Sequence, residues 1–443
     1  MKFLKELYLT SRFLLLTAIL VLLFFLGYFY PPLFILSQFL LIGFATIIVL
    51  ETFILFSNRK NLFAERILSD RLSNGDENEI KIIITNHYTF KINLKLIDEL
   101  PFVFQIRDFE INSELDPNTT KVYSYFVKPN KRGEYQFGSL NIYVSTILNI
   151  VSRRLRFEQN KNVAVYPSYI QMKKYQLMAV SDRLVEVGIK KVRRIGHSME
   201  FEQIKEYVKG DDYRTINWKA TARKRQLMVN HYVDEKAQQI YSIVDIGRTM
   251  KMPFDEMSLM DYAINTSLVI SNIALLKQDK AGLITFNNKV TTVLPAERNS
   301  LQMKKIIDLL YKQETDFQES DYERLASIVK AKLKQRSLLL LYTNFESVNS
   351  LRRQLSYFKS LASSHLLIVI FFHNTGLDTL LKNKADSLEE IYHKTIAEKF
   401  SYEKKVIKKE LASIGIQTIL TTPKELSVNT INKYLELKAR GMI

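Results

Sequence analysis

Cysteine is absent from the 443 residues. A disulfide, a thiolate metal site and a cysteine nucleophile are therefore excluded, and the chain suits a reducing compartment. Histidine is scarce, six in all, which leaves little room for a histidine-rich metal centre. Gly188 and Gly196 stand in no G-x-G-x-x-G or P-loop arrangement, so there is no nucleotide-site signal. Tryptophan occurs once, at position 218. Basic charge, by contrast, is abundant: the formal net charge is +17. Such a balance serves nucleic acid, an anionic membrane surface or an acidic protein partner.

Two apolar runs open the chain, Phe13 to Tyr30 and Leu33 to Phe56, broken by Pro31-Pro32 and with Glu51 close to the end of the second. Each is about 18 residues or more, roughly the length that spans hydrocarbon. A cleaved signal peptide is the rival reading of the first run, but no small-residue cleavage site follows it and a second apolar run does. Lys2, Lys5 and Arg12 flank one end, Arg59, Lys60 and Arg66 the other, and the tip between the runs is uncharged. A two-helix transmembrane hairpin over residues 1–60 is expected, in the inner (cytoplasmic) membrane, with both termini and everything after Phe56 in the cytoplasm.

Leu62 to Asp70 reads as a short amphipathic connector. From Glu79 the apolar period changes to that of strands: Ile80–Thr85, Phe90–Ile97, Phe102–Ile106, Lys121–Val127, Gly133–Phe137, Leu140–Val144 and Val163–Tyr166. Short strands divided by turn residues predict an antiparallel β-sandwich over 61–168. Tyr169 to Ser198 is polar, basic and without a clear period; Lys190 to Arg194 reads as a solvated loop or a phosphate-binding run. From Gln239 apolar strands alternate with amphipathic helices: Gln239–Val244, Ser258–Lys277, Lys280–Phe286, Lys289–Leu294, Ser300–Tyr311, Asp321–Lys334, Ser337–Tyr342, Val348–Leu361, His365–Phe372, Ser387–Ile414, Gln417–Leu420 and Pro423–Lys438. That alternation predicts a doubly wound, mostly parallel sheet over 237–443. Ligands of such sheets bind beyond the carboxyl ends of the strands, where Asp245 to Thr249 and Thr343-Asn344 fall.

Between these regions, 169–236 holds the densest patterning. Gly210-Asp211-Asp212 is a turn with a helix-starting carboxylate, and Tyr213 to Arg223 reads as a short helix followed by a strand, Leu227 to Val233. Asp211-Asp212 could be read as a hydrolase acid/base pair. Adjacent side chains diverge and no histidine or nucleophile is near, so a helix cap with an ion pair to Arg214 is the better reading. Trp218 reads as a core anchor joining the segment to the sheet, with a binding hot spot as the alternative.

The spacing of Glu206-Tyr207, Gly210-Asp211-Asp212, Arg214, Ile216, Trp218-Lys219-Ala220 and Ala222-Arg223 resembles the signature of the bacterial and archaeal family called domain of unknown function 58, EY-x-x-GDD-x-R-x-I-x-W-K-A-x-A-R. Asp245-x-Gly247-x-Thr249 resembles a degraded metal-ion-dependent adhesion motif of von Willebrand type A domains, normally D-x-S-x-S. Gly247 removes one hydroxyl ligand, Asn344 stands where the family usually has an aspartate, and Thr315 is the candidate for the motif's separate threonine. Hard divalent cations need several oxygen ligands. Mg²⁺ binding through Asp245, Thr249, Thr315 and Asn344 is therefore expected to be weak or absent, and Gly247→Ser with Asn344→Asp is expected to create or tighten it.

The resemblance implies a membrane hairpin, a β domain, the signature segment and a von Willebrand A-like domain. It also implies a working association with a MoxR-type AAA+ ATPase in assembly or maturation of other proteins. The expectation is a membrane-anchored, non-enzymatic protein-interaction adaptor without a nucleic-acid partner. A membrane-tethered enzyme acting on envelope substrates, or a nucleic-acid binder at the membrane face, are the alternatives.

Overall fold

The computed structural model describes residues 5–57, 62–106, 109–180, 199–208, 211, 213–234, 237–255, 257–315, 317–374, 376–377, 381 and 387–442. The flanking charges Lys2, Arg59 and Lys60, the run Lys190 to Arg194, Gly188, Gly196, and the signature residues Gly210 and Asp212 lie outside them. The chain divides into two compact units, Met1–Tyr166 and Pro167–Ile443.

The first unit opens with strand β1 (Leu7–Leu9) and two apolar helices, α1 (Ser11–Gly27) and α2 (Pro31–Phe56). Thr10 caps α1 and its hydroxyl donates to the Asn149 carbonyl. The helices run antiparallel: Phe13 stacks on Phe44 at one end and Phe24 meets Phe34 edge-on at the other. They approach so closely near the tip that a Cβ on Gly27 would lie 2.9 Å from Phe34 Cα. The 26 residues of α2, most of them exposed, are long and apolar enough to cross about 30 Å of hydrocarbon at about 1.5 Å per residue. The 17 residues of α1 sit at the lower bound of about 17–25.

Strands β2 (Leu62–Ile67), β3 (Arg71–Ser73), β4 (Asn78–Asn86), β5 (Ile92–Asp98), β6 (Ile111–Leu115), β7 (Thr120–Val127), β8 (Gly133–Phe137), β9 (Leu140–Ser145), β10 (Val151–Phe157) and β11 (Lys161–Tyr166) follow. They form three sheets, ordered β1-β10-β9-β5-β6, β3-β11-β8 and β2-β4-β7. All pairings are antiparallel except β3 with β11. One core fills the space between them, with Ile80, Ile82, Ile84, Leu94, Leu96, Ile142, Val144 and Val165 pointing in at every second residue.

Two expectations fail here. Leu62 to Asp70 is not a connector: β2 alternates inward at Leu62, Ala64 and Arg66, and the inward arginine hid the pattern. Phe102 to Ile106 is not a strand. Pro101 starts a 3₁₀ turn over Phe102–Phe104, and Gln105 closes it in the left-handed region at φ 55°. The root of α2 is fixed to the sheet by buried polar groups. The Glu51 carboxylate accepts from the Thr146 hydroxyl and, at 3.1 Å, from the Val151 N–H. Arg153 donates to the Leu55 carbonyl at 2.9 Å and stacks over Phe56.

In the second unit, α3 (Tyr169–Val180) occupies sequence that carries no clear apolar period, and it buries Met172 and Tyr175. The pair β12 (Met199–Glu206) and β13 (Met228–Asp234) forms its own two-stranded antiparallel sheet, with α4 (Trp218–Lys224) between them. The main sheet contains β14 (Gln239–Asp245), β15 (Lys280–Phe286), β16 (Val290–Glu297), β17 (Leu338–Tyr342), β18 (Leu366–Phe372) and β19 (Gln417–Thr421). Its order is β16-β15-β14-β17-β18-β19, parallel throughout except the β16 edge.

Helices α5 (Leu259–Leu276), α6 (Gln302–Tyr311), α7 (Tyr322–Lys332), α8 (Val348–Ser364), α9 (Leu388–Ser413) and α10 (Leu426–Ala439) cover both faces. Ile240, Val244, Leu338, Leu340 and Tyr342 pack with α3, α5, α6 and α10; Tyr241, Ile243, Leu339 and Leu341 pack with α7, α8 and α9. Near-continuous apolar strands are what a sheet buried on both sides requires. α5 is also long and apolar enough to span a membrane, but 83% of it is buried, so it is a core helix.

The buried Arg66–Asp98 pair of the first unit generates a prediction. Arg66 Nη1 donates to Asp98 Oδ1, and the Tyr125 hydroxyl donates to Oδ2. Burial pushes the Asp98 carboxyl above its ordinary range, and the Arg66 charge opposes that shift. Removing the arginine strands a buried carboxylate, so Arg66→Ala is expected to destabilise the full chain by about 3–5 kcal/mol near neutral pH. The raised native pKa means this loss grows as pH rises through the carboxyl range and shrinks below it, where a protonated Asp98 needs no countercharge. Urea unfolding in detergent at several pH values measures it. A loss independent of pH would mean that packing, not charge pairing, is the role of Arg66.

Candidate functional site

Asp245 ends β14, the strand between β15 and β17, at the place where the connections leave in opposite directions. It is completely buried. Oδ1 accepts the Gly247 N–H at 2.8 Å and the Ser320 hydroxyl at 2.5 Å. Oδ2 lies 2.7 Å from the Thr343 hydroxyl and 3.1 Å from that of Tyr322, while the two hydroxyls are 2.6 Å apart. Each hydroxyl has one proton. The shorter distances assign Thr343 as donor to Asp245 and Tyr322 as donor to Thr343. Burial raises the Asp245 pKa against the opposing effect of these bonds, and burial followed by the Asp245 charge pushes the Tyr322 phenol well above its ordinary value.

The expected metal ligands are only partly brought together. Thr249 is half-buried in the 3₁₀ turn Arg248–Lys251 and is not among the donors on Asp245. Thr315 reaches the Gly247 carbonyl at 3.5 Å, not the carboxylate. Asn344 is buried, and its Oδ1 accepts from Lys404 Nζ at 2.6 Å; the same ammonium donates to the Phe345 carbonyl at 2.6 Å. Burial lowers the Lys404 pKa to about 8 against the opposing charges of Glu403 and Glu346.

This donor set does not fit a hard divalent cation. The carboxylate already accepts three hydrogen bonds, the Asn344 oxygen is held by a positive charge, and Gly247 offers no side-chain oxygen. Among the described residues no group of three or more His, Asp or Glu side chains could hold a metal ion.

A side chain added at Gly247 to restore the motif meets an occupied space. A Cβ on Gly247 would lie 2.1 Å from Ser320 Oγ and 3.0 Å from both Asp245 Oδ1 and the Gln318 carbonyl oxygen. The missing hydroxyl has been replaced from another loop. Neither Ser320, Tyr322 nor Lys404 was marked by a sequence signal; only Thr343 was, through its position at a strand end.

In the signature segment, Glu206 closes the ladder opposite Met228 and is exposed, and the Tyr207 N–H donates to the Leu227 carbonyl at 2.8 Å. The expected helix from Tyr213 to Arg223 is split: a 3₁₀ turn at Tyr213–Thr215, a bridge from Ile216 to Val229, then α4. Asn217, not an aspartate, caps α4, accepting from the Ala220 N–H at 3.0 Å. Asp211 instead accepts from Val208 N–H and pairs with Lys205, both at 3.0 Å.

Trp218 is not a core anchor: 70% of it is exposed, and it starts α4 at the surface. Val208, Tyr213 and Leu227 are exposed as well. Arg214, Lys219, Arg223, Lys224 and Arg225 are exposed on the same short stretch, and Ala220 is half-buried.

Residues 203–372 match a family described as "Protein of unknown function DUF58". The match contains the signature segment, Asp245, Gly247, Thr315 and Asn344. An uncharacterized protein of Bacillus subtilis (strain 168), YeaD, is 28% identical over 124 residues, 28% of this chain. The aligned part spans only 30% of that relative's length. Among solved structures, the chain is similar to the conserved hypothetical protein BatB from Bacteroides thetaiotaomicron (12% identity, 46% of this chain, 100% of that one, TM-score 0.32). It is also similar to the SpRpn10 VWA domain (12% identity, 44% and 94%, TM-score 0.29) and to the CARDB domain of PF1109 from Pyrococcus furiosus (16% identity, 24% and 94%, TM-score 0.17).

Gly247→Ser is accordingly expected to cost about 1–3 kcal/mol by overpacking, and to gain no Mg²⁺ affinity. Adding Ser320→Gly to it should recover part of the loss by clearing the Oγ that the new side chain meets. Thermal unfolding of the single and double variants, with calorimetry against Mg²⁺, checks both points. Tight Mg²⁺ binding by the Gly247→Ser chain would show that the carboxylate is free to ligate after all.

Proposed function

We propose that this chain is a membrane-anchored, non-enzymatic adaptor whose second unit, a von Willebrand A-like domain, binds a protein partner through the exposed signature segment. The observation that carries this reading is Trp218, an indole 70% exposed on a short helix among exposed arginines and lysines. Exposed Trp and Arg at a shared surface are the residue types that dominate protein-binding hot spots. The anchor in this reading is the pair α1 and α2, crossing the membrane twice with the soluble parts in the cytoplasm, as the flanking Lys and Arg favour. A MoxR-type AAA+ ATPase is the partner class that the signature suggests. An enzymatic reading finds no support in the Asp245 cluster, where the carboxylate and its donors are buried and engaged with one another.

The test is a pull-down from membranes with the tagged full chain, with and without ATP, using wild type and Trp218→Ala. An exposed substitution should leave unfolding within about 0.5 kcal/mol of wild type. Loss of a hot spot of about 2 kcal/mol weakens capture of the ATPase roughly thirtyfold. Undiminished capture by a folded Trp218→Ala chain would refute the assignment of the surface. A reporter fused after Ile443 should be active only in its cytoplasmic form, and periplasmic activity would overturn the topology.

A further inference from the structure

A cavity of about 230 Å³ opens beside the Asp245 cluster, at the carboxyl ends of β17 and β18. Its wall is mainly apolar and includes Phe254, Leu259, Phe345, Phe372 and Phe400. Lys404 and Asn344 line it too, joined by the 2.6 Å hydrogen bond from the ammonium. Lys404 is half-buried, and its ammonium donates to two neutral oxygens, Asn344 Oδ1 and the Phe345 carbonyl, each at 2.6 Å. An ammonium whose two protein acceptors are neutral oxygens retains a full positive charge and a third N–H. That charge, partly withdrawn from water, favours an anion.

From this geometry we infer that the cavity binds a compact carboxylic acid with an apolar body, its carboxylate taken by the Lys404 ammonium and its body by the ring of phenylalanines. The inference does not depend on the adaptor reading, and no residue of the signature segment lines the cavity. Size narrows the ligand: the cavity is larger than the roughly 150 Å³ that holds benzene and smaller than the ~300–1,000 Å³ of drug-sized sites. A single ring or short branched chain with a carboxylate matches that volume, whereas a polypeptide would enter only by one side chain.

The electrostatics predict how binding depends on pH. Glu346 lines the same cavity and would repel an anion, but Arg248 holds its carboxylate at 3.3 Å. Glu403 lies on the same helix as Lys404, and His373 lines the cavity from the end of β18. The ammonium is present below its pKa of about 8, so affinity is full on the acid side and falls as pH rises through that value.

The experiment uses the full chain in lipid nanodiscs and 3-phenylpropionate as the probe, with 3-phenylpropionamide as the uncharged control. Protection of Lys404 from acetylation, read by peptide mass spectrometry, locates the site without any mutation. The acid is expected to slow that acetylation about fivefold or more near pH 7, equally in EDTA and in Mg²⁺, and the amide to have no effect. Calorimetry should show Lys404→Met binding the acid at least about tenfold more weakly, the loss of one charge-assisted hydrogen bond. His373→Gln should keep the wild-type fall in affinity through about pH 8, assigning that fall to Lys404. No protection by the acid, equal protection by the amide, or protection that requires Mg²⁺ would each overturn the inference. If Lys404→Met fails to fold, the wild-type protection and its pH profile decide alone.

Discussion

A carboxylate with no exposure to solvent, at the end of a strand inside the sheet, is the constraint around which the second unit is built. Burying Asp245 costs several kcal/mol unless its oxygens are satisfied. Satisfying them draws three stretches to one point: the turn at Gly247, the loop carrying Ser320, and the end of β17 at Thr343, whose hydroxyl is in turn met by Tyr322 from the first turn of α7. The loop is held there by its own backbone, because Arg248 N–H donates to the Gln318 carbonyl and Asp321 N–H to that of Asn287. Gly247 has no side chain because Ser320 already occupies the volume that a Cβ would need. Each of these residues has a reason to be where it is only if Asp245 is there.

The consequence is a sheet whose usual ligand position is closed by its own hydroxyls. The two surfaces proposed above for binding lie outside it. One is the two-stranded β12–β13 sheet with α4, where the backbone is secured by the Asn217 cap, the Thr221 hydroxyl that accepts the Met228 N–H, and the left-handed Arg225 that ends the helix. With the scaffold supplied by small polar groups, the large side chains of Trp218, Tyr213 and Arg223 are left at the surface. The other is the neighbouring cavity, where Lys404 brings its charge to Asn344.

The first unit follows the same logic of paired polar groups under an apolar layer. Arg66 and Asp98 are tolerable in its core because each answers the other, with Tyr125 and two backbone carbonyls completing the shell. Glu51, the one charged residue of α2, has its carboxylate met by the Thr146 hydroxyl and the Val151 N–H. A charge in such a helix, read alone, marks an end; in the fold it is a point of attachment to the sheet.

Periodicity carried most of the architecture. The apolar strands from Gln239 onward, the capping Ser258, Asp321, Ser347 and Ser387, and the two apolar runs before residue 57 announce their elements locally, since propensity, capping and hydrophobic period act over a few residues. The position of Asp245 and Thr343 at strand ends was legible for the same reason. What the chain could not announce were partners distant along it. Ser320 lies 75 residues from Asp245, and Lys404 lies 60 from Asn344 on a helix rich in unremarkable lysines. Trp218 read as core because tryptophan is usually buried, and only the tertiary structure, which completes the hydrophobic cores without it, leaves it at the surface. Local patterns therefore determined which elements form. Which polar groups meet, and hence whether a charge is met by a metal, a hydroxyl or an ammonium, was decided by packing, because hydrogen bonds and ion pairs depend on distances that only the folded chain sets.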